Sequence, residues 1–340
     1  MAYTQETPAK KLTPSVSVLM TVYNEKQYLQ QSIESVLSQS FPNLELVIVD
    51  DASTDASAGI IAKYSAADPR VRVIANKKNI GLVESRIKAF HEASGIYITI
   101  VDGDDFIAPD ALKEALESIN RTGADIAVLE LMMFHSSNDI RPYPTAKCGE
   151  TINGHEAFRL CVEGKLHGLC VTHRRYYERL PFDGTCRLYS DDNTPKCHYY
   201  IAQKVCFCHG RYYYRQHESS ETHKISASRF DYLLANISLR NTMLTLKADS
   251  KSLATLEMHR WKNIVAHYKL LRSNKYALGI TGRAYARKAI ATALKTIDFK
   301  LLPLKLKVRP PYWPTHSMAI FGIFQEIYYA LHAPWRIFRQ

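Results

Sequence analysis

Three runs of apolar, largely β-branched residues constrain this chain most, because each stops abruptly at polar or acidic residues. Residues 16–22 run into Tyr23-Asn24-Glu25, residues 44–49 into Asp50-Asp51, and residues 96–101 into Asp102-Gly103-Asp104-Asp105. Runs of this length and composition read as buried strands. Between the first two, Leu29, Ile33, Val36 and Leu37 recur at helical spacing until Phe41-Pro42-Asn43 stops the helix. A strand over 71–76, helices over 81–93 and 109–120, and a strand over 124–134 continue the rhythm. Strand, helix, strand with short connections builds a parallel sheet whose strands end on one edge, where such sheets bind ligands. The fold class is α/β, and the two acidic clusters fall together on that edge.

Carboxylates at the end of a strand repel one another and raise one another's pKa unless a cation sits between them. A divalent metal is the economical partner, and such a metal commonly carries a phosphate. On residues 98–105 alone, a solvated acidic loop fits equally well. The second cluster at Asp50-Asp51 makes loop solvation the weaker explanation.

At 340 residues and 46% hydrophobic content, the chain has ample core for one large or two modest domains. Residues 1–14 are polar and lack the apolar segment of a signal peptide, so they read as a leader and the protein is expected in the cytoplasm. Seven cysteines form an odd set without CxxC spacing, which makes reduced thiols the default. Cys206 and Cys208 stand too close for a structural zinc site; a strand would show both on one face. The net charge of +11 is unevenly shared. Residues 226–340 hold 19 Lys and Arg against 5 Asp and Glu, leaving 25 against 28 for residues 1–225. The expectation is a near-neutral body with a basic C-terminal region facing something anionic.

Between 135 and 225 the pattern is irregular. A short helix over 155–162 precedes Arg174-Arg175-Tyr176-Tyr177, Phe182-Asp183-Gly184 and Ser190-Asp191-Asp192-Asn193, and two short strands are predicted at 205–208 and 211–215. A second substrate would be held here. After 226, Phe230, Leu233, Leu234, Ile237 and Leu244 form one helical stripe, and Trp261, Ile264, Val265, Tyr268 and Leu271 another. Residues 318–339 are apolar but too short and interrupted for a transmembrane span. Their aromatics, Arg336 and Arg339, preceded by Lys300, Lys305, Lys307 and Arg309, suit a segment lying on an anionic membrane, and a helix docked on its own protein suits them equally.

Five motifs, in order and at matching intervals, resemble family 2 glycosyltransferases of the GT-A fold. They are Thr21-Val22-Tyr23-Asn24-Glu25, Val49-Asp50-Asp51-Ala52-Ser53-Thr54-Asp55, Asn79-Ile80-Gly81 with Ser85-Arg86, Ala93-Ser94-Gly95-Ile96-Tyr97, and Val101-Asp102-Gly103-Asp104-Asp105. The resemblance covers about residues 14–220, densely up to 110. It implies a Rossmann-like nucleotide-diphospho-sugar transferase domain (15–225, with a donor half 15–134 and an acceptor half 135–225); the composition adds a leader (1–14) and a helical, basic region (226–340) expected to associate with a membrane. A nucleotide-diphosphate sugar would lie along the sheet edge. Thr21 and Glu25, with Asp51, would surround the base and ribose, Tyr23 would belong to the same donor-binding turn, and Asp50 would support it. Asn79, Gly81 and Arg86 would border the sugar-diphosphate.

Asp102-Gly103-Asp104 matches the family's D-x-D element, in which one carboxylate reaches the ribose or sugar and the last, here Asp104, grips Mn or Mg on the diphosphate. Asp105 would be support. Ser190-Asp191-Asp192 stands where the family usually has Glu-Asp, whose second member deprotonates the acceptor hydroxyl. Asp192 is the candidate base, and Asp191 remains the alternative because it replaces the usual Glu. Tyr214-Arg215-Gln216-His217 resembles the family's Tyr-Arg-x-His ending, with His217 completing the metal shell or contacting a phosphate. Ile87 departs from the Asn that often follows the arginine.

The implied activity is inverting transfer from a nucleotide-sugar, UDP being the commonest nucleotide, to a glycan or lipid-linked acceptor at the inner face of the membrane, with no nucleic-acid partner. A dehydrogenase would want G-x-G-x-x-G in the first turn, and residues 21–25 contain no glycine. A sugar-nucleotide pyrophosphorylase would want a Gly-rich, basic first turn. A non-catalytic protein binding nucleic acid or another anionic surface through the C-terminal third would leave the five motifs unexplained.

Overall fold

The computed structural model describes residues 14–186, 189–217 and 225–332. The first half contains β1 (Val16–Val22), α1 (Leu29–Leu37), β2 (Leu44–Asp50), α2 (Ser57–Ala67), β3 (Val71–Ala75), α3 (Leu82–Glu92), β4 (Tyr97–Ile100), β5 (Phe106–Ile107), α4 (Ala111–Thr122) and β6 (Ile126–Ser136). Next come β7 (Asp139–Pro142), β8 (Thr151–Asn153), α5 (Gly154–Val162), β9 (Cys170–His173), α6 (Arg175–Arg179), α7 (Asn193–Ile201) and β10 (Lys204–Arg215). Helices α8 (Asp231–Thr245), α9 (Ser250–Ser273), α10 (Gly279–Lys295), α11 (Leu304–Lys307) and α12 (Met318–His332) follow among the described residues.

One sheet organises the body, in the order β3-β2-β1-β4-β9-β6-β10-β5. The first four strands are parallel, so β1, β2 and β4 finish on a common edge. Every residue of β1 and β2 is buried, as expected for parallel strands covered on both faces. Alternate side chains divide between two cores. Val18, Met20 and Val22 meet Leu29, Ile33 and Val36 of α1, whereas Leu19, Val47 and Val49 meet Val83, Ala89 and Phe90 of α3. The period of two in the strands thus builds a helix–sheet–helix sandwich.

At the opposite end of these strands Glu45 is held inside the protein. It accepts hydrogen bonds from Ser17 Oγ at 2.6 Å and from Ser94 N–H and Oγ at 2.6 and 2.8 Å. Ser17 Oγ in turn accepts from Gly95 N–H at 2.8 Å. A Cβ at Gly95 would stand 2.5 Å from the Ser17 nitrogen, so only glycine fits this close approach.

Several sequence expectations need correction. The two strands predicted at 205–208 and 211–215 are one strand, β10, with a register shift between Phe207 and Arg211 where it pairs with β6. Cys206 and Cys208 both lie buried in the same core as free thiols. In α8 the buried stripe is Leu233, Leu239 and Met243, while Leu244 is exposed. In α9, Trp261, Ile264, Val265 and Leu271 of the expected stripe are buried, and Tyr268 is partly buried against the same core. Residues 1–13, 218–224 and 333–340, with Arg336 and Arg339, lie outside the described residues.

The C-terminal helices are built into the body on one side. Leu239, Met243 and Leu256 share a core with Phe158 of α5 and Tyr199 of α7. Their other core joins Phe230, Trp261, Ile290 and Phe321. Part of the basic charge is internal: Glu257, fully buried, pairs with Arg240 at 2.9 Å and Arg260 at 2.6 Å.

Candidate active site

The first and second acidic motifs form one laced turn. Beyond β1, Asn24 adopts a left-handed φ of 61°, and its Oδ1 accepts from Thr54 N–H at 2.7 Å. Asn24 N–H donates to Ser53 Oγ at 3.1 Å and Glu25 N–H to Ser57 Oγ at 3.0 Å. Asp50 Oδ1 accepts from Ser53 N–H at 3.0 Å. Inside this turn Thr21 Oγ1 is buried with no hydrogen-bond partner, while the Tyr23 ring stands half-exposed above. An orphaned buried hydroxyl carries a desolvation cost that a bound ligand's polar group would relieve.

Asp51 anchors the third motif. Its carboxylate accepts from Asn76 Nδ2 at 2.9 Å and from the N–H groups of Ile80 and Gly81, both at 2.8 Å. It thereby fixes the loop carrying Asn79, with Gly81 at φ 97°, where α3 begins. One turn into α3, buried Arg86 reaches back to the edge. Its Nη2 donates to Asp102 Oδ1 at 2.7 Å, its Nη1 donates to Asp191 Oδ2, and its Nε has no partner. Burial opposes the guanidinium's charge, but Asp102 and Asp191 outweigh it and hold its pKa above the ordinary arginine value. The sequence reading put Arg86 at the sugar-diphosphate; its two terminal nitrogens here join the D-x-D element to the acidic pair, whose Asp191 lies 105 residues beyond Arg86.

Gly103 lies beneath the first turn, its carbonyl accepting from Ser32 Oγ at 2.8 Å. A Cβ there would come within 3.4 Å of Thr21 O and Glu25 Cγ. The two carboxylates that follow it face different partners. Asp104 Oδ2 lies 2.9 Å from His217 Nε2, and the His217 ring packs 5.1 Å from that of Tyr28. Asp105 is buried, accepting from Tyr212 Oη and from Arg215 N–H, each at 2.8 Å. Burial and the mutual repulsion of the cluster push the carboxyl pKa of Asp105 well up, and burial with the Asp102 charge raises that of Asp104 against the pull of His217.

The acidic pair immediately precedes α7, in the segment that follows α6. Burial raises the pKa of Asp191, with Arg86 opposing it. Asp192, at the start of α7, is half-exposed and pairs one turn on with the buried ammonium of Lys196. Lys196 Nζ also donates to the Asp192 carbonyl at 3.1 Å.

A cleft of about 720 Å³ runs along these groups, from Arg86 and Asp102 past Asp191 and Asp192 to Tyr232, His259 and Asn263. The last three belong to α8 and α9. Lys196 and these helix residues were not singled out from sequence; the Asp192–Lys196 spacing of four would have found the former once α7 was recognised.

Among the described residues no three His, Cys, Asp or Glu side chains form a ready metal cage. Asp104 and His217 supply two donors. A divalent cation on a nucleotide commonly takes one or two protein ligands and completes its shell with phosphate oxygens and water, so this donor set fits such an ion.

Residues 17–184 match the description glycosyl transferase family 2. They form a family 2 glycosyltransferase domain. Among curated relatives, the family 2 domain is similar to an uncharacterized glycosyltransferase of Haemophilus influenzae, 44% identical over 103 residues, covering 30% of this chain and 41% of that one. It is 39% identical over 104 residues to the putative teichuronic acid biosynthesis glycosyltransferase TuaG of Bacillus subtilis, covering 31% and 41%. Glycosyltransferase GlyA of Streptococcus pneumoniae is 37% identical over 122 residues, covering 36% of this chain but 17% of GlyA. The matches thus span well under half of these relatives' lengths. The fold is that of the TarS 1–349 crystal structure from S. aureus, in complex with UDP-GlcNAc, with a TM-score of 0.72 at 18% identity over 93% of this chain and 92% of that one. The chain therefore has the GT-A fold, with its helical C-terminal region inside the fold match.

Proposed function

We propose that the protein is an inverting, metal-assisted glycosyltransferase. It moves a hexosyl or N-acetylhexosaminyl group from a nucleotide-diphosphate donor to a hydroxyl of a glycan or lipid-linked acceptor, in cell-surface polysaccharide assembly at the inner face of the membrane. The observation that carries this reading is the cleft that brings Arg86 and Asp102 together with Asp191 and Asp192, with Asp104 and His217 paired on the same D-x-D segment. UDP is the proposed nucleotide because TarS, which shares the fold, was solved with UDP-GlcNAc. The surface-glycan setting is supported by relatives such as TuaG, named for teichuronic acid biosynthesis.

In this reading Thr21, Tyr23 and Glu25 hold the base and ribose, in a turn kept rigid by Asp50, while Asp51 keeps Asn79 and Gly81 beside the diphosphate. Asp102 takes a sugar or ribose hydroxyl. A divalent cation, Mn or Mg, held by Asp104 and His217 would offset the negative charge that gathers on the departing diphosphate. Arg86 keeps Asp102 and Asp191 at a fixed spacing. Asp192 accepts the proton of the acceptor hydroxyl as its oxygen bonds to the anomeric carbon and the carbon–oxygen bond to the diphosphate breaks on the opposite face.

Calorimetric titration of UDP, with and without Mn, tests the reading. The wild type should bind UDP in a Mn-dependent way. Asp104→Ala should weaken that binding by more than about 100-fold, beyond the usual effect of a group that merely orients a ligand. Unchanged Mn-dependent affinity in the variant would remove the donor-site assignment.

A further inference from the structure

Exposed apolar side chains on this protein are concentrated in one place. Of the sixteen large ones exposed among the described residues, seven fall between residues 304 and 331: Leu304, Val308, Trp313, Ile320, Ile323, Ile327 and Leu331. The last four recur at helical spacing on α12 and are 46–66% exposed. The opposite face of α12 is docked. Phe321 is fully buried against Trp261 and Tyr268, and Gln325 Nε2 donates to Pro311 O at 2.7 Å. Helix α12 is therefore amphipathic with two apolar faces, one covered by its own protein and one bare.

The bare face adjoins a basic segment. Trp313 Nε1 donates to Val308 O, and its ring meets Phe324 edge-on at 5.1 Å, which brings the end of α11 against α12. From residue 299 to residue 325 the chain holds Lys300, Lys305, Lys307 and Arg309 but no Asp or Glu. The one acid of α12, Glu326, is paired with Arg272 at 3.0 Å. An apolar ridge beside uncompensated cations is the composition of a surface that lies in the headgroup region of an anionic bilayer. A second copy of the chain is the poorer occupant, because a two-fold contact would bring the same cations together. Crossing the bilayer is not open to α12. No helix among the described residues is long and apolar enough, and fifteen residues reach only ~22 Å.

We infer that the bare face of α12 (Ile320, Ile323, Ile327 and Leu331), with Leu304, Val308 and Trp313, is a docking surface for an anionic lipid bilayer. The inference rests on the reading of surface-glycan assembly at a membrane and assigns the face that makes the contact. Because α9 touches α12 through Trp261 and Tyr268 and lines the cleft with His259 and Asn263, the same helix links the docked surface to the cleft.

Co-sedimentation of the full chain with vesicles tests it. Wild type should bind phosphatidylglycerol-containing vesicles at least about tenfold more tightly than pure phosphatidylcholine vesicles, since each cation near an anionic surface contributes. Ile323→Glu with Ile327→Glu, and separately Lys305→Glu with Lys307→Glu and Arg309→Glu, should each reduce binding at least about tenfold. Ile140→Glu, at an exposed apolar position on β7, should leave it unchanged. Absence of wild-type binding, or equal binding by the Ile323/Ile327 variant, overturns the inference. So does a wild-type dimer by light scattering that this variant dissociates while vesicles recruit neither form. Mn-dependent UDP titration of the same preparations separates the two readings: retained UDP affinity with no vesicle binding rejects only the membrane surface, and the reverse pattern rejects only the donor site.

Discussion

The two ends of the central strands treat their carboxylates in opposite ways. At the start of β2, burial alone would raise the pKa of Glu45, but hydrogen bonds from Ser17 and Ser94, with the Arg72 charge, hold it below the ordinary glutamate value. At the finish of β4, burial and mutual repulsion raise Asp104 and Asp105, and the hydrogen bonds they receive do not compensate. Both ends bury acid on the same sheet. One end is satisfied by the protein itself, while the other is left with charge that a ligand cation can stabilise. On this sheet the end with a complete set of internal donors lowers its carboxylate's pKa, and the end with clustered carboxylates raises theirs.

That contrast can be broken by substitution. The largest effect is expected at the cleft: Asp192→Asn should lower sugar transfer by about 100- to 10,000-fold, the usual range for losing a general base, with UDP affinity by calorimetry nearly intact. If Asp191→Asn shows this pattern and Asp192→Asn does not, the base is Asp191. Arg86→Met should lose both donor affinity and stability. Removing a buried guanidinium leaves Asp102 and Asp191 uncompensated, which costs about 3–5 kcal/mol in chemical denaturation.

The smallest effect belongs to the opposite end. Glu45→Gln should cost roughly 1–3 kcal/mol, the worth of hydrogen bonds to a charged group, and leave UDP affinity unchanged. Because the folded pKa of Glu45 is depressed, its contribution is fully present above the unfolded value of about 4.3. It is lost as pH falls through the folded value. The stability gap between wild type and Glu45→Gln should therefore close in acid, and a gap that widens there would contradict the assignment.

The donor half was largely legible because its chemistry is local. Each strand is a continuous apolar run, and each motif follows its strand directly, so Asp50, Asp102 and Asp104 could be placed on one edge without knowing the fold. Helix α2 was missed for a physical reason: it buries only Ser57 and Ile61, so it offers no stripe to read. Strand β9 was missed because four residues inserted antiparallel between β4 and β6 leave no periodicity. The Arg86–Asp191 pair and the entry of Tyr232, His259 and Asn263 into the cleft are tertiary events between distant segments, and no spacing along the chain encodes them. The basic C-terminal third read as an appendage because charge was counted without knowing that Arg240 and Arg260 point inward at Glu257.

The Arg86 bridge has a consequence for recombining such enzymes. A chimera that keeps this donor half but takes its acceptor half from another sugar transferase inherits a buried cation with one arm committed to Asp102 and the other empty. Only grafts that bring a carboxylate to position 191 would close that seam, so the two halves are interchangeable as a matched pair and not as free modules.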